Sequence, residues 1–250
     1  VTEITNRSSV QITVSSQLFR RFAGCGAILL LLAIAEYTDV ASTSASAQQA
    51  DETTSNGPAS TEAPGPSATV DVAELMADGP LPDIVIGYPT APVTIVEYAS
   101  MTCGHCANFH ENSYPQIKAD YIDTGKAKLI IREFPFDPRA LGAFMLARCT
   151  ETDAQRTAML DVLFKQQDAW ARAENASVAL LNIAKLAGFT EESFTACLNN
   201  KELQQQIIET QERGQQEFGV DATPTFFING DKYAGSLSPE QMASIIDEKL

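Results

Sequence analysis

The sequence is short of positive charge: 17 Lys and Arg stand against 32 Asp and Glu, a formal net charge of -15. The first 47 residues are balanced, Arg7, Arg20 and Arg21 against Glu3, Glu36 and Asp39, so the acidic excess lies in residues 48–250. With no basic stripe to neutralise phosphates, nucleic acid and anionic membranes are disfavoured as partners, which leaves proteins or small molecules. An apolar run long enough to span a bilayer is also missing, since Phe22 to Ala35 counts about 14 residues where a spanning helix needs about 20. There are two histidines, His105 and His110, and no second Cys-x-x-Cys or His pair, so a tetrahedral metal set cannot be completed by motif. No internal repeat is found. The five cysteines are Cys25, Cys103, Cys106, Cys149 and Cys197, an even number once Cys25 is set aside.

Arg20-Arg21 followed by the short apolar run reads as the core of a signal peptide, with small-residue cleavage sites at Ala33-Ile34-Ala35 and Ala45-Ser46-Ala47. The alternative is an uncleaved N-terminal anchor, and either form exports the globular part. Phe22-Ala23-Gly24-Cys25 is not a lipidation site, because the apolar run follows the cysteine. Residues 1–47 are therefore assigned to the leader. Residues 48–70, rich in Ala, Ser, Thr, Pro and Gly without apolar periodicity, are assigned to a disordered linker, and residues 71–250 to the folded domain.

Within that domain, Asp83 to Ile86 suggests a short strand, and Val93-Thr94-Ile95-Val96-Glu97-Tyr98 a buried one. Cys103 opens a helix, with Thr102 as its expected N-cap, Phe109, Ile117 and Tyr121 on its core face, and Pro115 as a kink. Lys128 to Phe134 is the next strand, so strand, helix and strand make a right-handed parallel crossover. From Pro138 to Phe218 the apolar residues recur at helical spacing, which predicts four or five inserted helices. Thr225 to Ile228, the turn Asn229-Gly230 and Lys232 to Ala234 form a hairpin, and Ser238-Pro239-Glu240 starts a final helix. The predicted fold class is α/β, a thioredoxin-like sheet interrupted by an all-helical subdomain at about 138–218.

The chemistry is concentrated in Cys103-Gly104-His105-Cys106. At a helix N-terminus two sulfurs at this spacing can close a small ring, and the helix end stabilises a thiolate. His105 is placed to donate to, or pair as imidazolium with, the Cys103 sulfur. Cys103 is then the reactive outward thiol and Cys106, one turn deeper, the buried resolving partner. A second reading takes Cys103, Cys106 and His110, spaced Cys-x-x-Cys-x-x-x-His, as the start of a metal site on a binding or chaperone-like protein. A third is a merely structural bridge, disfavoured because so short a loop yields little entropic stabilisation.

Four segments carry a family resemblance: Gly87-Tyr88-Pro89-Thr90-Ala91-Pro92-Val93, the Cys103 to Cys106 motif, Arg132-Glu133-Phe134-Pro135, and Val220-Asp221-Ala222-Thr223-Pro224-Thr225. Together they resemble the DsbA-like thiol:disulfide oxidoreductases of the shorter bacterial branch, over roughly Asp83 to Leu250. The resemblance implies a periplasmic, monomeric enzyme without cofactor that oxidises dithiols of reduced or unfolded exported proteins and is itself reoxidised by a membrane, quinone-linked partner of the DsbB type. It implies a cis Pro224, with Thr223 packed on the active sulfurs and offering backbone to an extended substrate. It also implies that Glu97 is a buried acid relaying protons to Cys106; a surface glutamate is the alternative. Gly104 departs from the proline of many oxidases, and Gly-His is the dipeptide of protein disulfide isomerases, so isomerase or reductase activity stays open. Cys149 and Cys197, 48 positions apart in the helical insertion, are paired as a structural disulfide in an oxidising compartment, with two free buried thiols as the alternative.

Overall fold

A computed structural model describes residues 62–250; the signal-peptide and anchor readings, Cys25 and most of the linker lie outside them. A six-stranded sheet has the order β1-β6-β5-β3-β4-β2, from β1 (Ala68–Thr69), β2 (Ile84–Gly87), β3 (Val93–Ala99), β4 (Ala127–Glu133), β5 (Thr225–Ile228) and β6 (Asp231–Ala234). β3 and β4 are parallel and every other pairing is antiparallel. Among the described residues, no helix is long and apolar enough to cross a membrane.

Alternation along the central strands divides the core into two faces. Val93, Ile95 and Ala99 of β3, with Leu129 and Ile131 of β4, enter the larger cluster, which the helical segment after β3 and the helical subdomain cover. Val96, Tyr98, Ile130 and Phe227 point the other way, toward Leu75, Phe218 and Val220. Glu97 shares the first face and is completely buried, which removes the surface alternative for it.

The chain after β3 forms α2 (Gly104–Asn108) and α3 (Tyr114–Ile117), following the short α1 (Val72–Leu75), with π-helical turns at Phe109–Ser113 and Lys118–Ile122. Pro115 lacks the N–H that an α-helical turn would use, and the widened turn immediately before it carries the helix through without a break. The insertion contains six helices among the described residues: α4 (Pro138–Arg148), α5 (Asp153–Lys165), α6 (Gln167–Ala171), α7 (Ala176–Leu186), α8 (Glu191–Leu198) and α9 (Lys201–Phe218). The four or five expected omit the one-turn α6, too short to show a period. α9 carries a narrow stripe, Leu203, Ile207, Thr210, Gly214 and Phe218, in an otherwise polar sequence. The hairpin turns through Asn229 and Gly230 with φ of 47° and 92°, the left-handed pair such a two-residue loop requires. Ser238 then caps α10 (Pro239–Lys249) with a reciprocal box to Gln241.

One boundary needs correction. Residues assigned to the end of the linker are ordered: Ala68 and Thr69 pair with Lys232 and Asp231, and the N–H groups of Ser67 and Val70 donate to Lys232 and Gly230 carbonyls. Both side chains of β1 are exposed, so no apolar alternation marks it in sequence, and what holds it is the backbone edge that β6 would otherwise leave open.

Candidate active site

β3 delivers the chain to the site and β5 closes it from the side. Because Tyr98 lies opposite Thr225, the segment entering β5 passes beside the end of β3, and the Thr223-Pro224 bond found there is cis. The Thr223 carbonyl accepts from the Cys103 sulfur at 3.2 Å, and its buried hydroxyl, without a hydrogen-bond partner among the described residues, is a donor available to a thiolate.

Cys103 is itself the N-cap of α2, with extended backbone (φ -80°, ψ 118°), and so stands over the free N–H groups of the first turn. This displaces Thr102 from the capping role expected of it. The Thr102 hydroxyl instead donates to Asp137 Oδ2 at 2.5 Å, while Oδ1 of the same carboxylate caps α4 through the N–H groups of Arg139 and Ala140. On the other side, the buried Gln167 of α6 donates to the carbonyls of Met101 and Cys103, both at 2.9 Å. The helical subdomain thus grips the cysteine loop from two directions, through residues that no motif marks out. Their signal in sequence is nil, because the partner atoms are backbone or lie 35 and more positions away.

Cys103 and Cys106 are both free thiols, the first half-buried and the second fully buried. The Cys106 thiol hydrogen-bonds the Cys103 sulfur, and this lowers the Cys103 pKa to about 5 against the cost of partial burial, with Thr223 and the N–H groups of Cys106 and His105 assisting. Cys106 moves the opposite way: burial raises its pKa well above the ordinary thiol value, and donation to Cys103 and the negative charge of Glu97 add to it. The role expected of the His105 imidazole is corrected here. The ring is exposed and among the described residues it makes no hydrogen bond, because a side chain in the first turn points outward while the backbone N–H faces the sulfur. A Cβ placed on Gly104 would meet nothing within 4 Å, so no packing demands glycine between the cysteines.

Below the sulfurs, Glu97 Oε2 lies 2.9 Å from His110 Nε2, and both side chains are buried. His110 is therefore turned toward a carboxylate and stacked on Phe164 (centroids 4.0 Å apart, planes at 6°). Among the described residues no group of three His, Cys, Asp or Glu could hold a metal ion, which takes the geometric support from the Cys103, Cys106 and His110 reading. Cys149 and Cys197 are bonded to each other, with Cα atoms 6.1 Å apart, joining the C-terminal end of α4 to α8.

A thioredoxin family model matches residues 81–248. The crystal structure of α-DsbA1 from Wolbachia pipientis is 34% identical, with a TM-score of 0.65 over 71% of this chain and 95% of that one. The chain belongs to the DsbA-like family. A Rickettsia conorii relative, named a protein-disulfide oxidoreductase, is 33% identical over 168 residues, 67% of this chain and 60% of its own length, so the match leaves two fifths of that relative unspanned. BdbD from Bacillus subtilis, at 19% identity and a TM-score of 0.61 over 74% of this chain and 97% of that one, shares the fold. For a DsbA-like chain the arrangement is coherent: the half-buried Cys103 sulfur, its buried partner Cys106 and a cis-proline strand converge at one end of the sheet.

Proposed function

We propose that this protein is a thiol:disulfide oxidoreductase that introduces disulfides into exported proteins through Cys103 and Cys106. In its oxidised form a substrate thiolate attacks the Cys103 sulfur, the Cys103–Cys106 bond breaks, and Cys106 leaves. A second substrate thiol then attacks the mixed disulfide, releasing oxidised substrate and Cys103 as a thiolate. The observation that carries this reading is the split between the two sulfurs. Cys103, low in pKa, is a good leaving group and is stable when reduced; Cys106, high in pKa, holds its proton. That asymmetry drives electrons into the protein and favours oxidation of substrates.

Thr223 and Pro224 serve as the substrate platform, with an extended chain docking along the Thr223 backbone as an added strand. Glu97 acts as the proton acceptor and donor of Cys106, while His105 contributes through its N–H. The partners are reduced exported proteins, and reoxidation falls to a quinone-linked membrane protein of the DsbB type. Gly104-His105 supports a second reading, isomerase activity, because the open space at Gly104 leaves the loop without the rigid proline of many oxidases. Equilibration of the chain with glutathione buffers distinguishes direction. A potential at or above about -180 mV supports oxidation or isomerisation, and one near -270 mV makes the protein a reductant and overturns the proposal.

A further inference from the structure

Proton traffic at Cys106 poses a problem of access. The sulfur must gain a proton each time the disulfide opens and lose it each time the disulfide forms, yet Cys106 and Glu97 are both 0% exposed. Glu97 sits in the apolar cluster on the inner face of β3, with Oε2 on His110 and Oε1 without a hydrogen-bond partner. Its charge acts on Cys106, but a fully buried carboxyl has no route of its own to water.

His110 occupies the gap. It lies in the π-helical turn between α2 and α3, an insertion that rotates this side chain out of regular α-helical register. One ring nitrogen faces Glu97, and among the described residues the other has no hydrogen-bond partner. The ring also forms part of the wall of a cavity of about 540 Å³ that opens between β2, α3 and α5. Lys118 of its own helix and Asp153, Asp161 and Lys165 of α5 line the same cavity, Asp161 and Lys165 being paired at 2.7 Å. Tyr114, also in the wall, has a buried hydroxyl with no hydrogen-bond partner among the described residues. Among the described residues, polar atoms without hydrogen-bond partners are thus found on Glu97, which is bonded to His110, and on Tyr114, whose ring centroid is 5.3 Å from that of His110. Phe164 stacks on the imidazole and Phe109 meets it edge-on.

We propose that His110 is a positioning residue that also passes protons, linking Glu97 to water in the Tyr114-lined cavity. This rests on the oxidoreductase reading. In the forward step the substrate thiolate bonds to Cys103 and the Cys103–Cys106 bond breaks, leaving its electron pair on Cys106. Glu97 gives its proton to that sulfur, imidazolium reprotonates Glu97, and cavity water returns a proton to His110. The proton shed to solvent by the substrate thiol balances the one taken up, and reoxidation runs the relay backwards. The charged side chains of α5 and Lys118 at the cavity wall keep water at this end of the path.

The test uses the full chain, oxidised, with a reduced cysteine-containing peptide as substrate and stopped-flow detection of the mixed disulfide. His110→Gln keeps a hydrogen bond to Glu97 but carries no proton, and His110→Ala opens the ring's place to added imidazole. The expected result for both is a step slower by about a hundredfold, the usual scale of general acid–base assistance, with a flattened pH profile. Millimolar imidazole should restore the Ala variant in a saturable manner, and not the Gln variant. A Gln variant at the wild-type rate, or a folded Ala variant indifferent to imidazole, overturns the relay. If His110→Ala fails to fold, the Gln rate and its pH profile decide alone. Absence of exchange by the wild-type protein would instead sink the oxidoreductase reading and is seen before any variant is made.

Discussion

At the scale of single residues, the candidate active site is governed by what each sulfur touches. Cys103 meets donors, from the Cys106 thiol to the N–H groups of its own helix turn, and its thiolate is stabilised; Cys106 meets apolar side chains and a neighbouring carboxylate, and its thiolate is not. Alkylation of the reduced protein should therefore titrate with a midpoint near 5, be lost in Cys103→Ser, and persist in Cys106→Ser with a higher midpoint because the strongest donor is gone. The same shift is linked to stability. The Cys103 pKa is lowered on folding, so its contribution to the reduced protein is complete above the unfolded value near 9 and disappears as pH falls through about 5. Urea unfolding of the reduced form should accordingly gain stability relative to the oxidised form between these limits, and a flat difference would contradict the assignment. Cys103 and Cys106 are legible in the sequence through their spacing, and Glu97 through the family resemblance, with strand alternation supporting its burial. The Glu97–His110 pair is not, because it joins a strand to a helix across 13 positions with no motif of its own.

At the scale of elements, packing on the face opposite the active-site helix depends on one close approach. A Cβ on Gly214 of α9 would stand 2.5 Å from the Tyr98 ring. That ring is itself fixed: it is fully buried, its hydroxyl accepts from Arg132 Nη1 at 3.1 Å, and Phe134 and Phe227 meet it edge-on. Neither side can yield, so Gly214→Ala should cost about 1–3 kcal/mol of stability, read as a lower urea midpoint, while the Cys103 alkylation rate is unchanged. Arg132 is anchored by Asp83 just before β2, and Glu133 by Arg148 at the end of α4. These buried pairs account for the charged residues of Arg132-Glu133-Phe134-Pro135, which the sequence marks only as a shared pattern. The narrow stripe of α9 explains why the helix is hard to read: glycine and threonine on its buried face do not register as apolar.

At the scale of the whole molecule, the helical subdomain is held to itself by the Cys149–Cys197 bond and to the cysteine loop by Asp137 and Gln167. The bridge lies at the opposite end of α4 from Asp137, so it acts on stability rather than on the cysteine loop. Cys149→Ala/Cys197→Ala should lose about 2–4 kcal/mol, measured by urea unfolding, with the potential of the Cys103–Cys106 pair unchanged; a shifted potential would show that the two ends of α4 are coupled. The sequence alone determined the local elements: the strand periods, the Asn229-Gly230 hairpin, the capped final helix and the cysteines at a helix start all follow from spacing and backbone preference within a few residues. It also supplied the order of sheet and insertion, because composition and period change at Pro138 and again after Phe218. The tertiary structure decided what depends on the approach of distant chain segments. It placed the backbone rather than the imidazole of His105 against the sulfur, ordered β1 on an open edge, and turned His110 inward to a carboxylate. A hydrogen bond or a buried ion pair is a property of two positions in space, and neither position carries a record of the other in its own stretch of sequence.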